Sequence, residues 1–190
     1  MLKYFKEDIQ ESCQSKIWFI RFPVIIYLIY VLHHELTIEK YSTILWGVDA
    51  GIHEMGHFAF VLLGNRLLHV AGGTIFQLSL PLVAIIMFLR QKDYFGISFA
   101  ISWIGINLFE VSTYMKDAQE QALPLLVPFG KLGQSSDGMI HDWNYLFTHF
   151  GVLEMDDEIA MFVKILATIF MITGIWFGSY ILWKMKKSKN

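Results

Sequence analysis

Two histidines and a glutamate, in the order His53-Glu54-Met55-Gly56-His57, are the residues whose types and spacing can do chemistry. On a helix, positions four apart lie one above the other on the same face, so His53 and His57 can present two imidazole nitrogens to one metal ion. Glu54 is close enough to that face to hold a water on the metal and take its proton. A bound Zn²⁺ lowers the pKa of its water to about 7, and a carboxylate beside it can pass the proton to a leaving amine. This is the spacing of zinc hydrolases. Asp49, one turn before His53, is placed to hold that ring's other N–H and fix its tautomer.

The elements that must position these residues are membrane helices. Across 190 residues the chain is 55% hydrophobic and 16% aromatic, with a mean hydropathy of +0.46, well above the apolar share of an ordinary soluble domain. The composition predicts an all-α polytopic membrane protein, a single integral membrane domain over residues 1–190. A net charge of −2, with no Gly-rich phosphate loop and no internal repeat, gives no sign of nucleic-acid binding. The single cysteine, Cys13, excludes an internal disulfide and a cysteine metal cage. Nothing in the sequence sets an oligomeric state.

Residues 1–16 are polar and carry Lys3, Lys6 and Lys16. The apolar run from Ile17 to about Leu32 contains Arg21 and Pro23 and leads into His33-His34-Glu35 without a small-residue cleavage site, so it reads as a retained membrane helix with His33 and His34 at an interface. The next helix, about Tyr41 to Leu63, carries the histidine pair, and Gly51 and Gly56 clear space on it for a neighbouring backbone. In the following segment Gly72-Gly73, Gln77 and Pro81 make a poor continuous helix. Non-helical backbone at membrane depth is tolerated where it lines a cavity, so residues 67–89 are expected to re-enter rather than cross. With that arrangement most basic residues fall on one side, which puts both termini in the cytoplasm. Four to five transmembrane helices result.

Residues 94–115 form another span, on which Asn107, Glu110, Tyr114 and Asp117 recur as one stripe. An intramembrane carboxylate such as Glu110 marks a functional site by default. Residues 116–158 read as an extramembrane loop region, with a Gly- and Ser-rich stretch at 130–138 and a short helix N-capped by Asp142. His141, just outside that cap, can turn back onto the metal. Asp117, His141 and Glu110 are therefore the candidates for a third ligand. The last span, about Ile159 to Trp183, ends in a lysine-rich stop. His69 and His149 have no motif around them and read as structural.

Taken together, the H-E-x-x-H in a transmembrane helix and the Gly72-Gly73-Thr74 that follows it resemble the site-2 protease family of intramembrane zinc metalloproteases. The resemblance implies His53 and His57 as zinc ligands, Glu54 as general base, a third aspartate ligand carried to Asp117, a glycine-containing re-entrant segment and a membrane-embedded peptide or protein substrate. The chain is also similar to uncharacterised bacterial integral-membrane proteins with H-E-x-G-H, G-G-x-x-x-Q, Asp-Ala and His-Asp-Trp-Asn motifs, over most of residues 45–155. That likeness implies a bacterial cytoplasmic membrane and keeps His141 beside Asp117 as a third donor. Two other readings compete. His53-x-x-x-His57 is also a histidine box of the di-iron membrane oxygenases and desaturases, although such sites use around eight histidines in paired boxes and this chain has seven with no H-x-x-H-H. A non-catalytic metal-binding membrane scaffold is the third reading.

Overall fold

The structure, a computed structural model, describes residues 2–14, 16–38, 41–127, 131–133 and 140–188. Among them are seven α-helices: α1 (Leu2–Cys13), α2 (Trp18–Thr37), α3 (Trp46–Val61), α4 (Arg66–Arg90), α5 (Tyr94–Lys116), α6 (Asp142–Phe150) and α7 (Asp156–Lys187). A small antiparallel pair, β1 (Leu125–Val127) and β2 (Lys131–Gly133), lies between α5 and α6. Of the expected Gly- and Ser-rich loop at 130–138, residues 130 and 134–138 lie outside the described residues.

The chain is an all-α membrane protein. Four helices are long and apolar enough to cross a bilayer: α2, α4, α5, and α7 together with the turn before it. The helix α3 has 16 residues, short of the roughly 20 that a bilayer core requires. It starts at Trp46 rather than near Tyr41, because the Thr43 hydroxyl accepts the Leu45 N–H at 3.1 Å and holds a turn just before it. The four long helices are not equivalent. In α5, 72% of the apolar window is buried, against 22–28% in the other three. α5 is thus the helix enclosed by protein, which is how it can carry buried Ser98, Ser102, Asn107 and Ser112 without exposing them to acyl chains.

The contacts divide the chain into two compact units. The first comprises residues 1–41, 80–106 and 168–190. In it Arg21, an odd residue for an apolar run, pairs through both guanidinium nitrogens with Asp93 at 2.9 and 3.3 Å, and Lys16 reaches the same carboxylate at 3.2 Å. On α1, Asp8 bonds Lys92 and Tyr94. Close packing of α5 on α7 uses missing side chains: a Cβ at Gly174 would strike Ser102 and the Ser98 carbonyl, and one at Gly178 would strike Ser98 and Ile25.

The second unit comprises residues 42–79 and 107–167. Its apolar core joins Val111, Met115, Ala118, Phe147 and Ala160, with Trp143 and Ile159 packed against them. The Ser112 hydroxyl donates to the Ala160 carbonyl at 2.8 Å. Gln119 bonds Asp156 at the start of α7 at 2.6 Å. The short helix α6 opens on a His141 cap and closes on Gly151 in the left-handed region (φ 70°), with backbone N–H groups of Gly151 and Val152 returning to Thr148 and Phe147.

The re-entrant segment expected over residues 67–89 is instead part of one continuous 25-residue helix, α4. Its helix-breaking residues are each answered locally. Gly56 and Gly72 meet backbone to backbone where α3 crosses α4, and a Cβ at Gly72 would come within 2.8 Å of the Gly56 carbonyl. Pro81 lacks the N–H that would bond the Gln77 carbonyl, and the Asn107 side chain donates to that carbonyl at 3.4 Å. Partners of this kind are what let proline persist in membrane helices.

The glycines make a paired prediction. Gly56→Ala presses a methyl onto the backbone of α4 and should destabilise by about 1–3 kcal/mol. Gly51→Ala meets nothing within 4 Å and should be neutral or stabilise by up to about 1 kcal/mol through helix propensity. Thermal denaturation of the two variants in detergent reads the difference, and equal midpoints would refute the close crossing.

Candidate metal centre

The spacing on α3 does what it promised. The His53 and His57 rings stand one turn apart with centroids at 4.8 Å, both largely buried. The first residue of α6 brings a carboxylate to them. Asp142 Oδ2 lies 2.9 Å from His53 Nε2 and 3.0 Å from His57 Nε2. Among the described residues, His53, His57 and Asp142 form a group whose ligand atoms all lie within 4.8 Å of one another. Donors about 2.0–2.1 Å from a tetrahedral ion sit about 3.3 Å apart, so the two contacts to Asp142 are slightly tighter than a tetrahedral ion needs.

Proton placement decides what the group can hold. His57 Nδ1 lies 2.8 Å from the His69 backbone carbonyl, which can only accept, so Nδ1 carries the proton and Nε2 is left with a lone pair. His53 Nδ1 lies 3.1 Å from Gln77 Oε1 and carries its proton for the same reason. With both rings neutral, two imidazole lone pairs and a carboxylate point at one another. One proton can bridge a single pair of these atoms, whereas a divalent cation satisfies all three. Each ring is oriented through its far nitrogen, as metal-binding histidines characteristically are.

The glycine pair on α4 supplies the room. A Cβ added at Gly73 would collide with Nε2 of both rings, lying 2.6 Å from that of His57. A side chain at residue 73 would thus occupy the place where the two lone pairs meet. Gln77, one turn further along the same face, is the residue that reaches His53 Nδ1. Glycine at 73 and glutamine at 77 act on the same two rings from one helix.

The third donor expected from Asp117 or His141 comes instead from Asp142, the neighbouring residue. His141 accepts the Asn144 N–H on Nδ1 at 3.2 Å, which leaves Nε2–H to donate to Asp117 Oδ2 at 3.2 Å. Burial pushes the His141 imidazole below its ordinary pKa, consistent with a neutral ring in this role. Asp117 also accepts backbone N–H groups of Ala122 and Leu123, each at 3.0 Å. These two residues seat the loop and the start of α6, while Tyr114 accepts the Asp142 N–H at 3.2 Å.

Other expected residues take different places. Glu110 accepts from Gln77 Nε2 at 2.9 Å and approaches the centre only through that amide. Asp49 is fully buried, and the ring N–H of His53 that it was expected to hold goes to Gln77. Glu54 is half-buried and lies within electrostatic reach of His57, His53 and Asp142. His34 donates to the Tyr30 carbonyl at 2.8 Å, and His149 stacks on Tyr145; neither belongs to the group. His69, read as structural, orients His57 through its carbonyl and donates its own Nδ1–H to the His57 carbonyl at 2.9 Å.

No protein-family model, curated protein or solved structure matches the chain.

Asp142→Ala and Gly73→Ala should each lower metal affinity by more than about 100-fold, beyond the cost of losing an outer partner. Asp117→Asn should lower it by about 10-fold or less. Zinc titration of the purified chain against a competing chelator separates these positions, and a larger loss at Asp117 than at Asp142 would reverse the assignment.

Proposed function

We propose that the chain is a zinc-dependent peptidase of the bacterial cytoplasmic membrane that hydrolyses a peptide bond of a membrane-embedded peptide or protein, as the resemblance to the site-2 protease family implies. The observation that carries the reading is the convergence of His53 Nε2, His57 Nε2 and Asp142 Oδ2, with the Glu54 carboxylate in electrostatic reach. Three protein donors leave a four-coordinate ion one open position, the pattern of catalytic rather than structural zinc.

His53, His57 and Asp142 would hold the zinc, which when bound would supply a Lewis acid and a water of pKa about 7. The remaining steps belong to the chain. Glu54 takes the proton of the attacking water and returns it to the leaving amine. Asp142 contributes negative charge that favours a divalent ion over water. Gln77 and the His69 carbonyl keep both rings in the tautomer that leaves Nε2 available.

Four spanning helices, an even number, support termini on the same side. The lysines Lys184, Lys186 and Lys187 at the end of α7 favour the cytoplasmic side.

Two histidines and a carboxylate also suit a mononuclear non-haem iron, and this donor set is the observation that favours a second reading. Hydrolysis requires the neighbouring Glu54, whereas an iron site does not. For a di-iron centre, His34, His69, His141 and His149 add no ligand atom to the group.

Purified chain should contain one zinc per polypeptide by elemental analysis, and iron in its place would overturn the proposal. Glu54→Gln should keep that zinc and lose about 10²–10⁴-fold in cleavage of a membrane-embedded reporter. Undiminished cleavage would remove the general base. Cleavage absent from both proteins, with zinc retained, would favour the scaffold reading.

A further inference from the structure

We infer that Asn107 and Glu110, neither of them near enough to bind the metal, select the metal-binding tautomer of His53 by holding the Gln77 amide in one of its two orientations. The inference rests on the reading of His53 as a metal ligand.

A glutamine amide has nearly the same shape when its oxygen and nitrogen are exchanged, so its neighbours decide which way it points. With the oxygen toward His53, the ring keeps its proton on Nδ1 and offers a lone pair from Nε2. With the NH₂ toward His53, Nδ1 must accept, the proton moves to Nε2, and it then points into the space where the metal would sit. The choice is made on the far side of Gln77. Its Nε2 lies 2.9 Å from Glu110 Oε2 and 3.1 Å from Asn107 Oδ1. A carboxylate oxygen only accepts, so Glu110 requires the NH₂ and sends the oxygen toward His53.

Asn107 has the same ambiguity, and the backbone resolves it. The missing N–H of Pro81 leaves the Gln77 carbonyl in need of a donor. Asn107 Nδ2 supplies it at 3.4 Å, which turns Asn107 Oδ1 toward the Gln77 side chain. One asparagine therefore grips both the main chain and the amide of residue 77. Gln77 is 5% and Asn107 0% exposed, so water cannot stand in for either partner. A flipped Gln77 would face its oxygen to a carboxylate and to another carbonyl oxygen, leaving buried polar groups mismatched. Proline 81, Asn107, Glu110 and Gln77 thus act as positioning residues for His53.

The test is zinc affinity of the full chain in detergent, measured against a chromogenic chelator, in a double-mutant cycle. Gln77→Leu should weaken zinc binding by about 10–100-fold. Glu110→Leu should weaken it in the wild-type background but change it by less than about twofold once Gln77 is leucine, because its route to His53 is gone. The conservative variant Glu110→Gln keeps an acceptor toward the Gln77 NH₂ through its own Oε1 and leaves Asn107 and Gln77 unchanged. It should bind within about twofold of wild type, and it keeps the test open if a leucine variant does not fold. An equal effect of Glu110→Leu in both backgrounds, or a folded Glu110→Gln variant as weak as Gln77→Leu, overturns the inference and leaves the metal reading standing. Failure of the wild-type chain to bind zinc overturns both.

Discussion

Acceptors facing acceptors are the constraint on which this structure turns. The two Nε2 lone pairs and the Asp142 carboxylate oxygen lie at 2.9–3.0 Å, a separation at which like partial charges repel unless a cation stands among them. In water each would be hydrated. Here Asp142 and both rings are largely buried, and an uncompensated buried charge costs several kcal/mol. The fold nevertheless holds all three in place from two different helices, α3 and α6. Such an arrangement is tolerable as a site for something positive, and the bare Cα of Gly73 keeps the place clear.

Seating Asp142 is the harder part of that task, since it begins a nine-residue helix that follows a long loop. The anchoring is polar on every side. Tyr114 accepts its N–H, His141 caps the helix and donates to Asp117, and Asn144 Nδ2 donates to the Ala118 carbonyl at 2.9 Å. Hydrogen bonds of this kind contribute about 0.5–1.5 kcal/mol each, more where a charge takes part. Together with the apolar cluster of Phe147 on Val111 and Met115, they fix the first turn of α6 against the end of α5. Asn107, Glu110 and Tyr114 on α5, and Asp117 just past its end, therefore serve the centre without contributing a ligand atom.

This stripe of four residues shows what a sequence can and cannot disclose. Periodicity placed its four residues on one face, and membrane energetics turned that face inward; both hold in the structure, as do the helical class and the two histidines one turn apart. Which carboxylate would touch the imidazoles was not written in spacing, because Asp117 lies just past the end of α5 whereas Asp142 opens a separate helix, α6. A helix-capping reading of Asp142 was reasonable, since aspartate is common there. The cap proved to be His141, which freed the aspartate. His69 was invisible for a simpler reason: it works through its carbonyl, a group that every residue possesses.

The misreading of α4 has the most instructive cause. Two adjacent glycines and a proline argue against a continuous helix on intrinsic propensity, by about 1 kcal/mol for each glycine and about 3 for the proline relative to alanine. Each departure is matched by a specific partner. Gly72 admits the backbone of α3, Gly73 leaves space beside the two rings, and the carbonyl orphaned by Pro81 is taken by the asparagine that also orders Gln77. Local rules fail where a site imposes its own requirements, and the residues that looked like interruptions of the helix are those through which it serves the histidines. A segment that violates helix propensity at several points on one face, directly after an H-E-x-x-H helix, is better read as a wall fitted to that helix than as a break in the fold.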